Sequence, residues 1–231
     1  KSKILEKDEI FSEFEKLGIS QPPEMNYVIK ESVLNLGVKH IFDSGELEES
    51  LVHEIIWHVF PDCSLWMQNR VKVHESIEDL PRIGISLELS EKFEPLEWFG
   101  NGPHESYVDR KSGVRTGHFH SKVSEQYVPY IVPQEHGNLT DLRWIALNDG
   151  DERGICFSSS ALFEGSVNHY PDQDLYQTSH AFKLNPKKET SVYLDHKQRG
   201  LGTASCGPDT LDHYKISGGI HSFDFFIRGF A

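Results

Sequence analysis

From Met25 onward, hydrophobic and polar residues alternate with a period of two, which is typical of strands in a sheet that has one buried face. The clearest case runs from Leu65 to Val73, where every second side chain, beginning with Leu65, faces one way. We expect an antiparallel meander with turns at residues 35–37 and 43–45. Its five strands are predicted at Met25–Leu34, Val38–Phe42, Leu51–Phe60, Leu65–His74 and Ile83–Leu89.

The alternation weakens between residues 111 and 140, where glycine, proline and histidine are frequent, and then resumes. Long irregular segments on a β scaffold often carry functional sites, so we expect a functional loop there and further loops at 165–179 and 200–208. We infer one all-β domain over residues 1–231, made of two packed, twisted sheets. The later strands are predicted at Leu142–Leu147, Gly154–Ser160, Glu189–Asp195 and Ser222–Arg228.

Residues 1–20 are the one passage with a helical period. Phe11, Phe14 and Leu17 lie three residues apart, and Gly18 stands where a helix would end. We therefore expect a short helical lead-in to the sheets. The first residues look like an arbitrary entry point, so we also expect that the chain was cut from something longer.

The net charge narrows the classes of partner, and the cysteine content indicates the cellular compartment. The 231 residues carry a formal net charge of -13, which repels phosphate backbones and anionic lipid and so disfavours nucleic acid and membranes as partners. No apolar run approaches the roughly 18 residues of a spanning helix, and the first residues have no hydrophobic region of a signal peptide, so we expect either a cytoplasmic protein or a chain from which its targeting segment is missing. Three cysteines without metal-type spacing favour reduced thiols in a cytoplasmic protein.

Two polar and aromatic clusters have the composition of a sugar site. The first is the run from Trp98 to Arg110, and the second is Pro133–Gly137 with Arg143 and Trp144 behind it. Aromatic faces stack on sugar rings, while carboxylates and arginines bind hydroxyl groups. The alternatives are a tight turn with a surface ion pair for the first cluster, and for the second an internal pair of Glu135 with Arg143 that only holds the loop.

Other chemistries find less support. In an extended chain His118 and His120 point the same way, and Glu135 and His136 could add metal ligands, but nothing in the sequence brings these segments together. We expect solvated or sugar-contacting histidines and no metal in this domain. There is no nucleophile elbow or phosphate loop, and spacing cannot bring two carboxylates within the roughly 5 Å that a retaining glycosidase needs.

Several segments together resemble the C-terminal, or small-chain, domain of family 2 β-galactosidases, in the order and spacing of that family and over about residues 8–228. The resemblance implies a galactose-mutarotase-like antiparallel super-sandwich, whose first strands would precede Lys1, so that this chain would be truncated at its N-terminal edge. The matching segments are Pro81–Gly84, Trp98–Arg110, Tyr127–Gly137, Arg143–Trp144, Thr178–His180 and Gly200–Pro208.

The resemblance implies a domain of an enzyme that hydrolyses terminal β-D-galactosides such as lactose. Its catalytic glutamates, magnesium and sodium would lie on a separate barrel domain, so this domain would be non-catalytic and inactive alone. It would shape the active-site entrance and support packing into a homo-oligomer. Cys206 stands where some members place a stacking Trp. The expected galactoside-contacting residues are Arg82, Trp98, His104, Glu105, Tyr107, Asp109, Arg110, Glu135, His136, Arg143, Trp144 and Cys206.

Two other function classes stay open on the sequence. A carbohydrate-binding module would bind galactosides without turnover. A free-standing aldose 1-epimerase, or mutarotase, would need a general acid and a general base on opposite sides of the anomeric oxygen. His104 or His136 together with Glu135 would be the candidates for those roles.

Overall fold

A computed structural model of the chain describes residues 24–30, 33–43, 49–151, 153–203 and 207–231. The predicted helix at residues 1–20 and Cys206 lie outside the described residues. The chain divides into two compact units, one of Lys1–Glu78 with Ser217–Asp224 and one of Asp79–Ile216 with Phe225–Ala231. That the chain is a single domain over residues 1–231 stays a prediction.

The first unit is an antiparallel meander, which confirms the period-two interpretation. In its last consecutive strand Met67, Asn69, Val71 and Val73 are buried and Arg70 is exposed, as the alternation predicts. The strands are β1 (Glu24–Lys30), β2 (Val33–Phe42), β3 (Leu51–Val59), β4 (Leu65–Val73) and, beside β4, the first half of β11 (Gly219–Phe230).

One turn predicted in this unit is wrong. Residues 35–37, expected to form a hairpin turn, lie inside β2, where Asn35 pairs with Val28 on one side and with His58 on the other. The Asn35 side-chain amide donates to the carbonyls of Val28 and Val33. An Asn-Leu-Gly sequence has turn composition, but two flanking strands and these bonds outweigh that local preference.

The second unit contains β5 (Arg82–Leu89) to β10 (Thr190–Gln198) and the second half of β11, again all antiparallel. The order across the sheet is β5-β10-β9-β8-β6-β7, and the long strand β9 also pairs with β11. The five-strand meander prediction is therefore wrong at its last member, since β5 pairs with β10. The remaining strands are β6 (Pro95–Gly102), β7 (Arg115–Lys122), β8 (Leu139–Asn148) and β9 (Gly154–Asn168).

Part of the predicted functional loop is regular structure. The strand β7 lies in the middle of residues 111–140, which we expected to be irregular. Among the described strands β7 pairs with β6 alone, so it is an edge strand. An edge strand that buries little side-chain surface carries a weak hydrophobic pattern, which is why the alternation did not reveal it.

Apolar side chains from several strands form the core of the second unit. Trp98, Ile145, Phe157, Leu194 and Phe225 are almost completely buried. In the part of the chain that the structure describes, helical structure is limited to α1 (Asp172–Gln177) and to 3₁₀ turns at Val123–Gln126, Ala181–Lys183 and Asp212–Tyr214. Among the described residues, no helix has the length and apolarity needed to cross a membrane. The prediction of an all-β, antiparallel fold is confirmed.

Candidate functional site

The centre of the candidate site is Arg82, the first residue of β5. The pairing of β5 with β10 places Arg82 opposite Gln198 and Gly84 opposite Asp195, with an irregularity between Asp195 and Lys197. Gly84 is required for this arrangement, because a Cβ there would lie 2.2 Å from Oδ1 of Asp195 and 2.4 Å from the carbonyl oxygen of Leu194. The missing side chain therefore lets a buried carboxylate lie over the neighbouring strand.

Three carboxylates surround the Arg82 guanidinium, and we call these four residues the Arg82 cluster. Nη2 of Arg82 lies 3.1 Å from Oδ2 of Asp195 and 3.5 Å from Oε2 of Glu135, while Nη1 donates to Oδ2 of Asp172 at 3.0 Å. The guanidinium also lies over the ring of Tyr193, 4.8 Å from its centroid. The side chain of Asp195 is only 2% exposed, so its charge is almost completely desolvated.

One positive charge for three carboxylates makes the cluster acid-rich and shifts its pKa values. Burial, only partly offset by the Arg82 charge, raises the pKa of Asp195 to about 8, and the charges of Glu135, Glu164 and Asp172 add to the rise. Burial likewise raises the pKa of Glu135. Burial disfavours the Arg82 cation, yet the three carboxylates outweigh it and its pKa is raised. The cluster therefore holds a proton on Asp195 near neutral pH.

The side chains in and next to this cluster have polar atoms that are buried without a hydrogen-bond partner among the described residues. Buried polar groups in folded proteins are nearly always paired, so such a concentration marks a place where a ligand or ordered water belongs. Most of these atoms are acceptors or can act as acceptors. They are the Tyr107 hydroxyl, Oε1 of Glu135, Nε2 of His136, Oδ1 of Asn138 and Oε1 of Gln198, while Nη2 of Arg82 and Oδ2 of Asp195 form an ion pair with each other at 3.1 Å without hydrogen-bond geometry.

Two clefts open beside these groups. The Arg82 cleft has a volume of about 290 Å³, and its walls include Arg82, Glu135, Asp172 and Gln198. The Tyr130 cleft, of about 770 Å³, shares Glu135 and Leu201 with it. Their volumes are close to or within the usual range for small-molecule sites. Other residues that line the Tyr130 cleft are Asp109, Arg110, Tyr130, Gln134 and Thr203.

A second set of predicted residues, the Glu105 network, joins two loops instead. Oε1 of Glu105 accepts hydrogen bonds from Arg110 and from the Tyr130 hydroxyl, and Oε2 accepts one at 2.7 Å from the backbone N–H of Gly137. The Arg110 guanidinium lies over the ring of Tyr107. Glu105 thus uses both of its oxygens to tie the loop after β6 to the loop before β8.

Asp109 plays the same part for a third loop. Its Oδ1 and Oδ2 accept the backbone N–H groups of Leu201 at 3.2 Å and Gly202 at 2.8 Å. Neither Asp109 nor Glu105 is therefore available as the free member of a catalytic carboxylate pair.

The remaining predicted residues are spread over other positions. Trp98 is 1% exposed and stacks on Phe119, so its ring has no free face for a sugar. His104 is exposed and lines neither cleft. The Arg143 guanidinium donates to the backbone carbonyl of Asp141 and lies over Phe99, so the alternative of a Glu135–Arg143 pair is wrong, and Glu135 pairs with Arg82.

The histidines considered as metal ligands lie apart from the Arg82 cluster. His118 and His120 lie together on β7 with Glu97 of β6, whereas the sequence had suggested Glu135 and His136 as their companions. Trp144 packs the edge of its ring against His118, at 5.2 Å between centroids.

Sequence reasoning missed three members of the site, namely Asp172, Asp195 and Gln198. The available signal was the carboxylate at the end of the predicted strand Glu189–Asp195, where Val192 and Leu194 indicate burial. A charged residue at the end of a buried strand is a functional candidate. Only the pairing of β5 with β10 shows which arginine it faces.

Comparisons with known proteins support a single family. A family model described as "Beta galactosidase small chain" matches residues 12–227. The β-galactosidase of Halalkalibacterium halodurans is 34% identical over 163 residues, which are 68% of this chain and 16% of that protein. The β-galactosidase of Priestia megaterium is 30% identical over 148 residues, 64% of this chain and 14% of that protein. The chain therefore spans less than a fifth of the length of these relatives.

Solved structures are more distant. A candidate aldose 1-epimerase from Escherichia coli K12 superimposes with a TM-score of 0.43 at 11% identity, covering 90% of this chain and 69% of that one. A heparan sulfate lyase HepC mutant from Pedobacter heparinus superimposes with a TM-score of 0.37 at 8% identity, covering 90% of this chain and 22% of that one.

Proposed function

The chain belongs to the β-galactosidase small-chain family, and on this premise we propose that it is the C-terminal domain of an enzyme that hydrolyses terminal β-D-galactosides such as lactose. The domain is non-catalytic. It shapes the active-site entrance, presents polar groups to the galactoside and supports assembly with the remaining domains of a cytoplasmic homo-oligomer. The observation that carries the sugar contact is the concentration of buried, unpartnered polar atoms beside the Arg82 cleft.

A polyol suits these atoms because each hydroxyl both donates and accepts. Oε1 of Glu135 and Oε1 of Gln198 are buried without a hydrogen bond among the described residues, and both residues line the Arg82 cleft, so each can accept from a sugar hydroxyl. Of the residues expected from the sequence, this assigns Arg82 and Glu135 to sugar contact, with Tyr107 and His136 beside them.

The non-catalytic role rests on how the carboxylates are used. Glu105 and Asp109 accept hydrogen bonds from loop backbone, and Glu135 is paired with Arg82. The catalytic glutamates, the magnesium and the sodium are therefore expected on another domain. The Arg82 cluster does not fit such an ion, because the guanidinium lies between the oxygens of Glu135 and Asp195 that would have to ligate it.

Support for assembly comes from the loop that follows Tyr130. Ile131 is 91% exposed and Val132 is 57% exposed, and the two residues come directly after Tyr130, which lines the Tyr130 cleft. Adjacent exposed aliphatic side chains are typical of a surface that another domain or subunit covers. We assign this loop to contact with the remaining domains of the enzyme.

Complementation tests the proposal. Hydrolysis of a chromogenic β-galactoside is measured for this chain alone, for the remaining domains of its enzyme alone, and for the two mixed. We expect activity only in the mixture. The double variant Ile131→Ser, Val132→Ser should need a higher concentration of chain for the same activity, whereas Tyr176→Ser, which changes another exposed apolar residue, should not. Activity of this chain alone would place the catalytic carboxylates within it and overturn the proposal.

A carbohydrate-binding module is the second candidate, and the same unpartnered atoms favour it. In that case the chain alone binds galactose or lactose, and Gln198→Ala weakens the binding, while complementation gives no activity. Anomer interconversion by the chain alone would instead favour the mutarotase, with Glu135 and His136 as the groups to test. Proton NMR of α-galactose mixed with the chain measures the binding and the interconversion in one experiment.

A further inference from the structure

We propose that Glu97, His118 and His120 form a binding site for a divalent transition metal ion of the zinc type. The inference is independent of the proposed function, because none of these residues belongs to the Arg82 cluster or lines either cleft. It rests on the placement of the three side chains, on the distances between their ligand atoms and on the chemistry of those atoms.

Strand pairing brings the three residues to one exposed face. Glu97 of β6 lies opposite His120 of β7, and Phe99 lies opposite His118. Because side chains alternate along a strand, Glu97, His118 and His120 share a face. The intervening residues Trp98 and Phe119 stack on one another at 5.3 Å on the other face, which holds the two strands in register.

The distances fit a metal ion held by four ligands. Oε2 of Glu97 lies 3.1 Å from Nε2 of His118 and 3.6 Å from Nδ1 of His120. Bonds of about 2.0–2.1 Å in a tetrahedral site place neighbouring ligand atoms about 3.3 Å apart, between these two values. One ligand atom from each residue lies within 4.8 Å of the others, so a small rotation of the imidazoles closes the site.

The donor set selects the metal. Two imidazole nitrogens and one carboxylate oxygen suit zinc, nickel or copper, whereas magnesium and calcium prefer oxygen ligands alone. Among the described residues, the ion pairs of Glu97 are with these two histidines, so no lysine or arginine competes for its oxygens. The three side chains are 40–66% exposed, which leaves room for water as a further ligand.

The consequence of binding is a link between two neighbouring strands. His118 and His120 belong to β7, the edge strand, and Glu97 belongs to β6. Edge strands carry unpaired backbone groups and open more readily than central ones. An ion that binds the folded state joins β7 to β6 and raises the midpoint of thermal unfolding. The ring of Trp144 packs against His118 and so restricts the movement of this ligand before an ion binds.

Isothermal titration calorimetry of the full chain with zinc chloride tests the proposal, with nickel chloride in parallel and magnesium chloride as the ion that should not bind. We expect one zinc per chain at micromolar concentration, nickel binding at the same stoichiometry, and a rise in the thermal midpoint with zinc. His118→Gln and His120→Gln should each lower zinc affinity at least tenfold and remove that rise. Glu97→Gln should weaken binding in the same direction.

The matched control is His180→Gln, which changes an exposed histidine outside the cluster. Its zinc affinity should equal that of the unchanged chain. Circular dichroism without metal shows whether each variant is folded, and the changed side chains are solvent-exposed or half-buried. The proposal is overturned if the chain binds no zinc, or if the double variant His118→Gln, His120→Gln binds zinc as tightly as the unchanged chain.

Discussion

The Glu105 network and the Arg82 cluster are built from the same kinds of residue, an arginine, carboxylates and a tyrosine, but they leave their polar atoms in different states. In the network, both oxygens of Glu105 accept hydrogen bonds, one of them from loop backbone. In the cluster, Oε1 of Glu135 is buried without such a bond among the described residues, and Oδ2 of Asp195 has its ion pair with Nη2 of Arg82 but no well-formed hydrogen bond. Composition therefore does not separate a group that fixes loops from a group that faces a ligand, whereas a count of satisfied polar atoms does.

The Glu105 network and the Arg82 cluster also contribute differently to the stability of the fold. A network whose polar atoms are all hydrogen-bonded stabilises the fold. Removing one member costs about the free energy that its hydrogen bonds contribute to folding. An unsaturated, acid-rich cluster is held together mainly by its single cation, so that removing the cation leaves those carboxylates that are ionised without a partner. The three predictions below use this difference.

The largest effect is expected from Arg82→Ala. The substitution removes the cation shared by Asp172, Asp195 and Glu135. Breaking a buried pair typically costs about 3–5 kcal/mol of unfolding free energy. Because Asp195 is protonated near neutral pH and Asp172 is half-exposed, the loss should lie near the lower end of that range. Denaturant-induced unfolding measures the change. Arg82→Lys keeps the charge and should lose less.

Its control is Arg70→Ala, which breaks an exposed pair with Glu54. That pair is 42–49% exposed and should contribute about 0–1 kcal/mol. Equal losses for Arg82→Ala and Arg70→Ala would mean that the cluster is as well solvated as the surface.

A rise in pH from 5 to 7 is expected to change the unfolding free energy by an intermediate amount. The pKa of Asp195 is raised to about 8 in the folded chain, against about 3.9 in an unfolded one. Its contribution to stability is therefore fully present below about pH 4 and is lost as the pH rises through 8. Between pH 5 and 7 one such group lowers the unfolding free energy by about 2–3 kcal/mol. The fall should be smaller by that amount in Asp195→Asn, and parallel curves for the two proteins would contradict the raised pKa.

The smallest effect comes from removing two tyrosine hydroxyls. Tyr130→Phe loses the hydrogen bond to Glu105 and should cost about 1 kcal/mol. Tyr107→Phe removes a buried hydroxyl that approaches the Asn138 backbone but makes no well-formed hydrogen bond among the described residues, so it should cost less than Tyr130→Phe. Thermal unfolding of the two variants side by side checks the difference. A larger loss for Tyr107→Phe would show that its hydroxyl is satisfied, for example by an ordered water.

Much of the fold could be predicted because a strand with one buried face shows its period directly. The expected strands at 51–60 and 65–74 match β3 and β4 to within one residue at each end. The edge strand β7 could not be found this way. Phe119, which packs on Trp98, is its one large apolar side chain, so the strand shows no hydrophobic alternation. Short-range signals also misplaced the turn at 35–37, because pairing on both sides of β2 outweighs local turn composition.

The site was predicted in part for a similar reason. Composition singled out Glu105, Asp109 and Glu135, and the resemblance added Arg82. The structure uses all four in ion pairs or loop contacts. Their division into a saturated network and an unsaturated cluster depends on Asp195, which is distant in the sequence and is brought to Arg82 only by the pairing of β5 with β10. Spacing along a chain contains no information about such a pairing.

Gly84 has a practical meaning for anyone who engineers or compares these domains. It contributes no functional group, yet the depth and acidity of Asp195 depend on the space it leaves. A survey that ranks positions by side-chain chemistry would pass over it. A substitution as small as alanine there would displace the Asp195 carboxylate and so act on the Arg82 cleft without altering any of its functional groups. In a set of related sequences, the glycine at this position is therefore a marker of whether the buried acid is retained in place.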